Sequence, residues 1–344
     1  MLRTNILKIT LISTLLIFTS CKSSYSTDLP KIDNTEPYWT LINSDSISKN
    51  LKVLASDEFE GRRTGELGQK KAANYIADFY KQHSILPPKG TDSYFQVIPA
   101  NFMKGTTIRL KDSENVWAFL EGTEHPDEVL ILSAHYDHMG ILLGQIYYGA
   151  DDNGSGTASL MEIARIFKEL YDKGIKPKRS ILFLHLTGEE FGLFGSKYYV
   201  QNPAIPLKNT ITDLNIDMIG RTSPEYKGKE DYVFVVGSDK LSNDLHSISE
   251  KANIESVKLD LDYSFNDEND PQQIYYRSDH YTFAKEGIPA IFYYNGTHED
   301  YHLPSDTFDK INIPLLKKRT QLIFNTAWKL ANGNERPKIT KQKN

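Results

Sequence analysis

The sequence predicts an α/β protein in which helices are layered against a mostly parallel sheet. Three observations carry this expectation. Short apolar runs rich in β-branched and aromatic residues recur after Pro126, and each reads as a strand buried on both faces. Helical stretches separate these runs, and strand alternating with helix favours parallel pairing. Acidic and histidine signatures fall just past the ends of the runs, where open α/β sheets gather their ligands.

In chain order, Ile47, Leu51 and Leu54 share one helical face, with Ser44 or Asp45 as N-cap. A second helix, near Glu66 to His83, aligns Ala72, Ala73, Ile76, Phe79 and Tyr80. The segment between them, D-E-F-E-G-R-R-T-G, reads as a loop. Strands are expected at Tyr94–Ile98, Thr106–Leu110 and Val116–Leu120. Further strands follow at Val129–Ala134, Ile181–Leu186, Ile211–Ile216, Tyr232–Val236 and Ala290–Tyr294. Helices are expected at Gly156–Lys173, Leu193–Gln201, Leu241–Ala252 and Asp279–Glu286, and from about Pro314 to Ala331. Nothing between Ser44 and Asn332 resembles a linker, so residues 44–332 are expected to form one domain with a polar tail at 333–344.

The first 20 residues stand apart as a leader. Arg3 and Lys8 precede an uncharged run, Ile9–Ser20, too short to cross a bilayer as a helix and typical of a signal-peptide core. Phe18-Thr19-Ser20-Cys21 resembles a bacterial lipobox, with Phe18 where Leu is usual. That resemblance implies cleavage before Cys21 and lipid on its thiol. The chain would then be exported and membrane-anchored in the cell envelope, outer membrane or periplasm-facing. An ordinary secretory leader with an incidental cysteine is the alternative. Residues 21–43 are polar and read as a tether.

Cys21 is the only cysteine, so an acylated chain has no thiol for disulfides or for thiolate zinc sites. Any metal must sit on imidazole nitrogen and carboxylate oxygen. Loss of Arg3 and Lys8 takes the formal charge from −5 to −7, and no basic run exists to bind nucleic acid.

Five signatures supply such donors: His135 and Asp137 in H-Y-D-H, Asp152 in G-A-D-D-N-G, Glu189 and Glu190 in T-G-E-E, Asp217 in N-I-D-M, and His302 in Y-H-L-P-S-D. His135 can offer one ring nitrogen to a metal while Asp137 holds the other. Asp152 can bridge two ions, and Asp217 ends an apolar run where an unpaired charge is expensive. Adjacent glutamates diverge, so one can bind metal while its neighbour serves as general base. Tyr301 can donate to a developing oxyanion. Each has an ordinary alternative: a surface histidine, a helix cap at Asp152, a solvated acidic turn, an Arg221 partner for Asp217, a rim tyrosine. Five ordinary explanations in one layout are improbable, and metal-assisted hydrolysis fits the set best. His138, His185 and His298 receive no role. Asp279-His280 reads as support or pocket wall. The acidic stretch Asp260–Asp270 reads as a solvated loop, with calcium binding or a place in the cleft as alternatives.

Together H135-Y-D, G149-A-D-D-N-G-S-G, T187-G-E-E-F-G, N215-I-D-M, R277-S-D-H and Y301-H-L-P-S-D-T resemble the di-zinc aminopeptidase family. That family also holds glutamate carboxypeptidases, the transferrin receptor ectodomain and glutaminyl cyclases. The likeness implies a three-layer α/β/α sandwich with a mixed, mostly parallel sheet. It implies two Zn²⁺ per chain, one on His135 and Asp217, the other on Glu190 and His302, with Asp152 bridging. It implies a cis Asp152–Asn153 bond, Glu189 as general base, Asp137 orienting His135, and Tyr301 as oxyanion donor. Peptide N-termini are the expected substrates. A cyclase, a carboxypeptidase using Arg221 or Arg277, and a non-catalytic binding protein are the rivals.

Overall fold

The sheet is built where the apolar runs predict it. The computed structural model describes residues 36–340, so the leader, Cys21, the start of the tether and the last four residues lie outside the described residues. The first described elements are helices α1 (Ser44–Leu54) and α2 (Leu67–Gln82), followed by strands β1 (Phe95–Ile98), β2 (Ser113–Leu120) and β3 (His125–His135). Next come β4 (Gly140–Leu142), β5 (Gln145–Tyr147), α3 (Gly156–Asp172), β6 (Arg179–Leu186), α4 (Phe194–Gln201) and β7 (Thr210–Ile216). The chain continues through β8 (Tyr232–Val236), α5 (Asn243–Ile254), β9 (Asp260–Asp262), α6 (His280–Lys285), β10 (Ala290–Tyr294) and α7 (Ile313–Asn332).

Eight strands form one sheet in the order β1-β2-β6-β3-β7-β10-β8-β9. Its centre, β6-β3-β7-β10, is parallel. Antiparallel pairs flank it on both sides, and β9 runs parallel to β8 at the far edge. The sheet is therefore mixed and mostly parallel. Strands β6, β7, β8 and β10 are buried along their whole length, as runs without polar alternation require. Tyr199 of α4 and Phe283 of α6 pack with Ile131, Leu182 and Leu184 on one face. On the other face Phe183 meets Tyr80 of α2 and Phe167 of α3, and Phe167 meets Phe324 of α7.

Four departures from the sequence reading have local causes. Thr106–Leu110 forms no strand. Gly105 turns the chain with a φ of +89°, the Thr106 hydroxyl donates to the Ile108 carbonyl, and Ile108 and Leu110 are spent on a small cluster with Ile98 and Phe194. The hairpin β4-β5 was not anticipated; Leu143 and Gly144, both at positive φ, make its two-residue turn. The cap of α1 is Asn43, whose Oδ1 accepts from the Asp45 and Ser46 amides at 2.7 and 3.3 Å. Within the acidic stretch 260–270, β9 extends the sheet, and Asp267 and Asp270 cap their own turns.

The tail after α7 is docked rather than loose as far as it is described. Arg336 donates to the Thr210 carbonyl, Lys338 N to Asp244, and Thr340 N to the Leu241 carbonyl.

Candidate metal centre

Every donor sits at the carboxyl end of a central strand or in a loop beside one. His135 is the last residue of β3, Asp217 follows β7, and Glu189 and Glu190 follow β6. Asp152 lies in the turn before α3, and His302 in the loop after β10 at a φ of +55°. The Asp152–Asn153 bond is cis, as the family resemblance implies.

Asp152 is the centre of the arrangement. Its Oδ1 lies 3.4 Å from His135 Nε2, which is itself 3.2 Å from Asp217 Oδ1. Its Oδ2 lies 3.0 Å from His302 Nε2, which is 3.0 Å from Glu190 Oε2. One carboxylate thus faces two imidazole–carboxylate pairs, one on each oxygen. Among the described residues, His135, Asp152 and Asp217 form one metal-capable group and His138, Asp152 and Glu190 another.

The donor set fits two divalent cations. In each group the ligand atoms lie within 4.8 Å of one another, with two carboxylates apiece. Two carboxylates about 4 Å apart repel by roughly 4 kcal/mol at an effective dielectric of about 20. Buried carboxylates so placed need positive charge. Among the described residues Asp217 has no arginine partner: Arg221 turns away to Asp300 at 2.9 Å and Glu299 at 3.3 Å. His302 Nε2 is buried and makes no well-aligned hydrogen bond despite its two carboxylate neighbours.

Charge shifts follow the same crowding. Burial opposes a proton on His302, yet Asp152 and Glu190 outweigh it and push its pKa up to about 10. Burial likewise opposes a proton on His135, and Asp217 and Glu189 drive its pKa well up regardless. Burial raises the Glu189 carboxyl well above the ordinary range; His135 opposes this, while Asp217, Glu190 and Asp279 add to it. Glu189 and Glu190 do diverge. Glu190 is held between His138 and His302, whereas no described side chain holds the Glu189 carboxylate, which lines the cleft.

Asp137 brackets His135 differently from the expectation. The nearest acceptor for His135 Nδ1 is the Asp137 backbone carbonyl at 3.2 Å, with the carboxylate at 3.7 Å. That carboxylate instead accepts from Thr64 Oγ1 at 2.5 Å and the Glu189 amide at 3.2 Å. Tyr301 stacks on His302 with ring centroids 3.8 Å apart and lines the cleft.

Sequence reasoning passed over several supports. His138, given no role, lies 2.6 Å from Glu190 Oε1 and 3.7 Å from Asp152 Oδ2. His298, also given none, lies 3.2 Å from Asp151 Oδ2. Asp306 accepts from the Asp151 and Asp152 amides at 3.0–3.1 Å. Buried Arg62, from the expected loop, donates to the carbonyls of Leu54, Tyr136, Tyr148 and Gly149. Ser278 braces Asp217 Oδ2 at 2.7 Å. Asp279, read from the sequence as support or pocket wall, is buried against Ser196, and burial raises its pKa to about 7. Neither Asp279 nor His280 lines the cleft, and nor does any acidic residue of 260–270.

A parallel-centred sheet carrying two buried His/Asp/Glu clusters at its carboxyl end defines a metal-dependent hydrolase scaffold. Residues 115–327 match Peptidase family M28, and the chain belongs to that family. Over 255 residues it is 28% identical to aminopeptidase YwaD of Bacillus subtilis, covering 70% of this chain and 50% of that protein. The chain spans about half or less of the curated relatives it matches first. Its fold resembles the Legionella pneumophila LapA aminopeptidase, with a TM-score of 0.66 at 24% identity over 87% of this chain and 74% of that one. It also resembles Porphyromonas gingivalis glutaminyl cyclase, with a TM-score of 0.63 at 17% identity over 83% and 98%.

Proposed function

We propose that this chain is an aminopeptidase with two zinc ions per chain, exported and held in the bacterial cell envelope by lipid on Cys21. The observation that carries the catalytic reading is the placement of one buried carboxylate, Asp152, between two imidazole–carboxylate pairs. His135 and Asp217 would hold one ion, Glu190 and His302 the other, and Asp152 both. Zinc bound there supplies Lewis acidity and activates water at neutral pH.

The remaining work falls to side chains. Glu189, whose carboxylate no described side chain holds, takes a proton from the attacking water and returns it to the leaving amine. Asp137 fixes His135 and, through the Glu189 amide, the turn that carries the base. Tyr301 lines the cleft, and its hydroxyl donates to the oxygen that gains charge. A spare carboxylate oxygen of Glu189 or Asp217 accepts the substrate α-ammonium. The carboxypeptidase rival loses Arg221, which Asp300 holds, and keeps only Arg277. A binding protein would have no need for every ligand position to be filled.

Purified protein assayed on an aminoacyl anilide, an N-blocked anilide and a glutaminyl substrate, with and without chelator, separates these readings. Chelator-sensitive cleavage of the free-amine anilide alone is expected; ammonia release from the glutaminyl substrate alone would make the protein a cyclase. For the anchor, Cys21→Ser should move the protein from membrane to soluble fraction. A mutant that still pellets, with no lipid on the wild type, would refute it.

A further inference from the structure

The cleft is electrically two-ended. The cavity at the metal-type residues, about 300 Å³, shares Leu193 and Tyr276 with a neighbouring cavity of about 500 Å³. Carboxylates dominate the inner end. The first cavity also carries Arg277, next in sequence to the shared Tyr276, and the neighbouring cavity carries Lys197 and Lys285 against a single carboxylate, Glu286.

None of these three cations has a carboxylate partner among the described residues. Lys197 Nζ donates to the Gly192 carbonyl at 2.8 Å, and Lys285 lies 5.9 Å from the Tyr281 ring. Cations at other faces of the cleft loops are claimed, such as Arg221 and Lys310 by Asp300, whereas these three face a cavity. Arg277 lines the same cavity as Tyr294 and Tyr301.

We propose that Arg277, with Lys197 and Lys285, forms a subsite for a carboxylate on the part of the substrate beyond the scissile bond. This rests on the aminopeptidase reading above. The α-ammonium is drawn to the acidic inner end. Each following residue advances the chain by about 3.3–3.6 Å, so the next one or two residues run outward past Arg277. The guanidinium fork suits a carboxylate, and the two ammonium groups add point charge behind it. The carboxylate is either the free C-terminus of a di- or tripeptide or an acidic side chain after the cleaved bond. Short peptides with a free or acidic distal end are the favoured substrates.

The test uses zinc-loaded wild type, Arg277→Gln, and the double variant Lys197→Gln/Lys285→Gln. Each is assayed on leucine anilide, Leu-Ala, Leu-Ala-amide, Leu-Glu-amide, Leu-Gln-amide and glutamyl anilide. Within each protein the readout is a ratio of kcat/KM values, which cancels general damage. Wild type should prefer Leu-Ala over its amide, or Leu-Glu-amide over Leu-Gln-amide, and the preferred pair names the source of the carboxylate. Arg277→Gln should lower that ratio roughly tenfold, mainly through KM. The double lysine variant should lower it about threefold, with a weaker effect at high salt. Equal ratios in wild type, or a ratio that survives in both variants, would overturn the subsite. So would an Arg277-dependent preference for glutamyl over leucyl anilide, which places the carboxylate before the scissile bond. Leucine anilide carries no carboxylate, so its turnover reports on the parent reading separately; if it is not cleaved, both fall.

Discussion

The two halves of the candidate metal centre are built from different material. His135 and Asp217 stand on the ends of adjacent central strands, and the His135 side chain is 1% exposed. Glu190 and His302 come from loops, and the His302 side chain is 34% exposed. The strand-built half inherits the rigidity of the sheet. The loop-built half is kept in shape by added contacts: His138 on Glu190, and Tyr301 stacked on His302. A cation should therefore be held more tightly on the strand side and exchange more readily on the loop side.

The most severe test removes the comparison altogether. Asp152→Asn weakens the one group common to both halves, so zinc content should fall from about two per chain toward none, with activity lost. Retention of both ions would show that Asp152 does not bridge. Next is Glu189→Gln, which should keep its metal while kcat falls roughly 10²–10⁴-fold. Glu190→Gln should instead lose one ion and regain activity in excess zinc. Reversed outcomes would exchange the two roles.

A finer comparison sets His302→Ala against His135→Ala. The first should release one ion and leave the strand-side ion; the second should disturb the tighter site. His138→Gln should weaken only the loop-side ion, by about 10–100-fold, the usual cost of removing a group that supports a ligand. Zinc titration by calorimetry distinguishes them. Equal loss from both halves in every variant would erase the asymmetry.

The smallest effect is on stability. In chelated protein, His302 and His135 hold protons in the fold that the unfolded chain would release near pH 6.5. Their stabilisation is complete below that pH and is lost as pH rises through about 10 for His302. The raised Glu189 works in the same direction. Asp152 and Glu190, lowered despite burial by their histidine neighbours, have made their contribution well below this window. The melting temperature without metal should therefore fall between about pH 6.5 and 10, and fall less with zinc bound. A flat profile without metal would mean that these charges are not crowded as described.

The strand half was the more legible in sequence, for a physical reason. Residues such as Val129–Ala134 and Ile211–Ile216 announce buried parallel strands, and a charge just past each run is conspicuous because burial makes it expensive. The supports of the loop half and of the shared Asp152 turn carry no such mark. His138 differs from any surface histidine only through Glu190, 52 residues away. His298 and Asp306 matter through Asp151, which hides beside the better-marked Asp152. Arg62 lies in a glycine-flanked charged stretch that reads as solvated, yet it is 1% exposed because four carbonyls need its protons. The strand expected at 106–110 erred in the opposite way, since apolar residues after Gly105 pack without pairing.

The turn carrying Asp152 is tied from both directions. Arg62 takes the Gly149 carbonyl, while Asp306 takes the amides of Asp151 and Asp152. Neither tie requires an ion. Folding and metal uptake then become separate events in time, unlike small zinc domains that fold only when loaded. Such a turn keeps its shape whether or not a cation has reached it, so the order of folding and loading is left free.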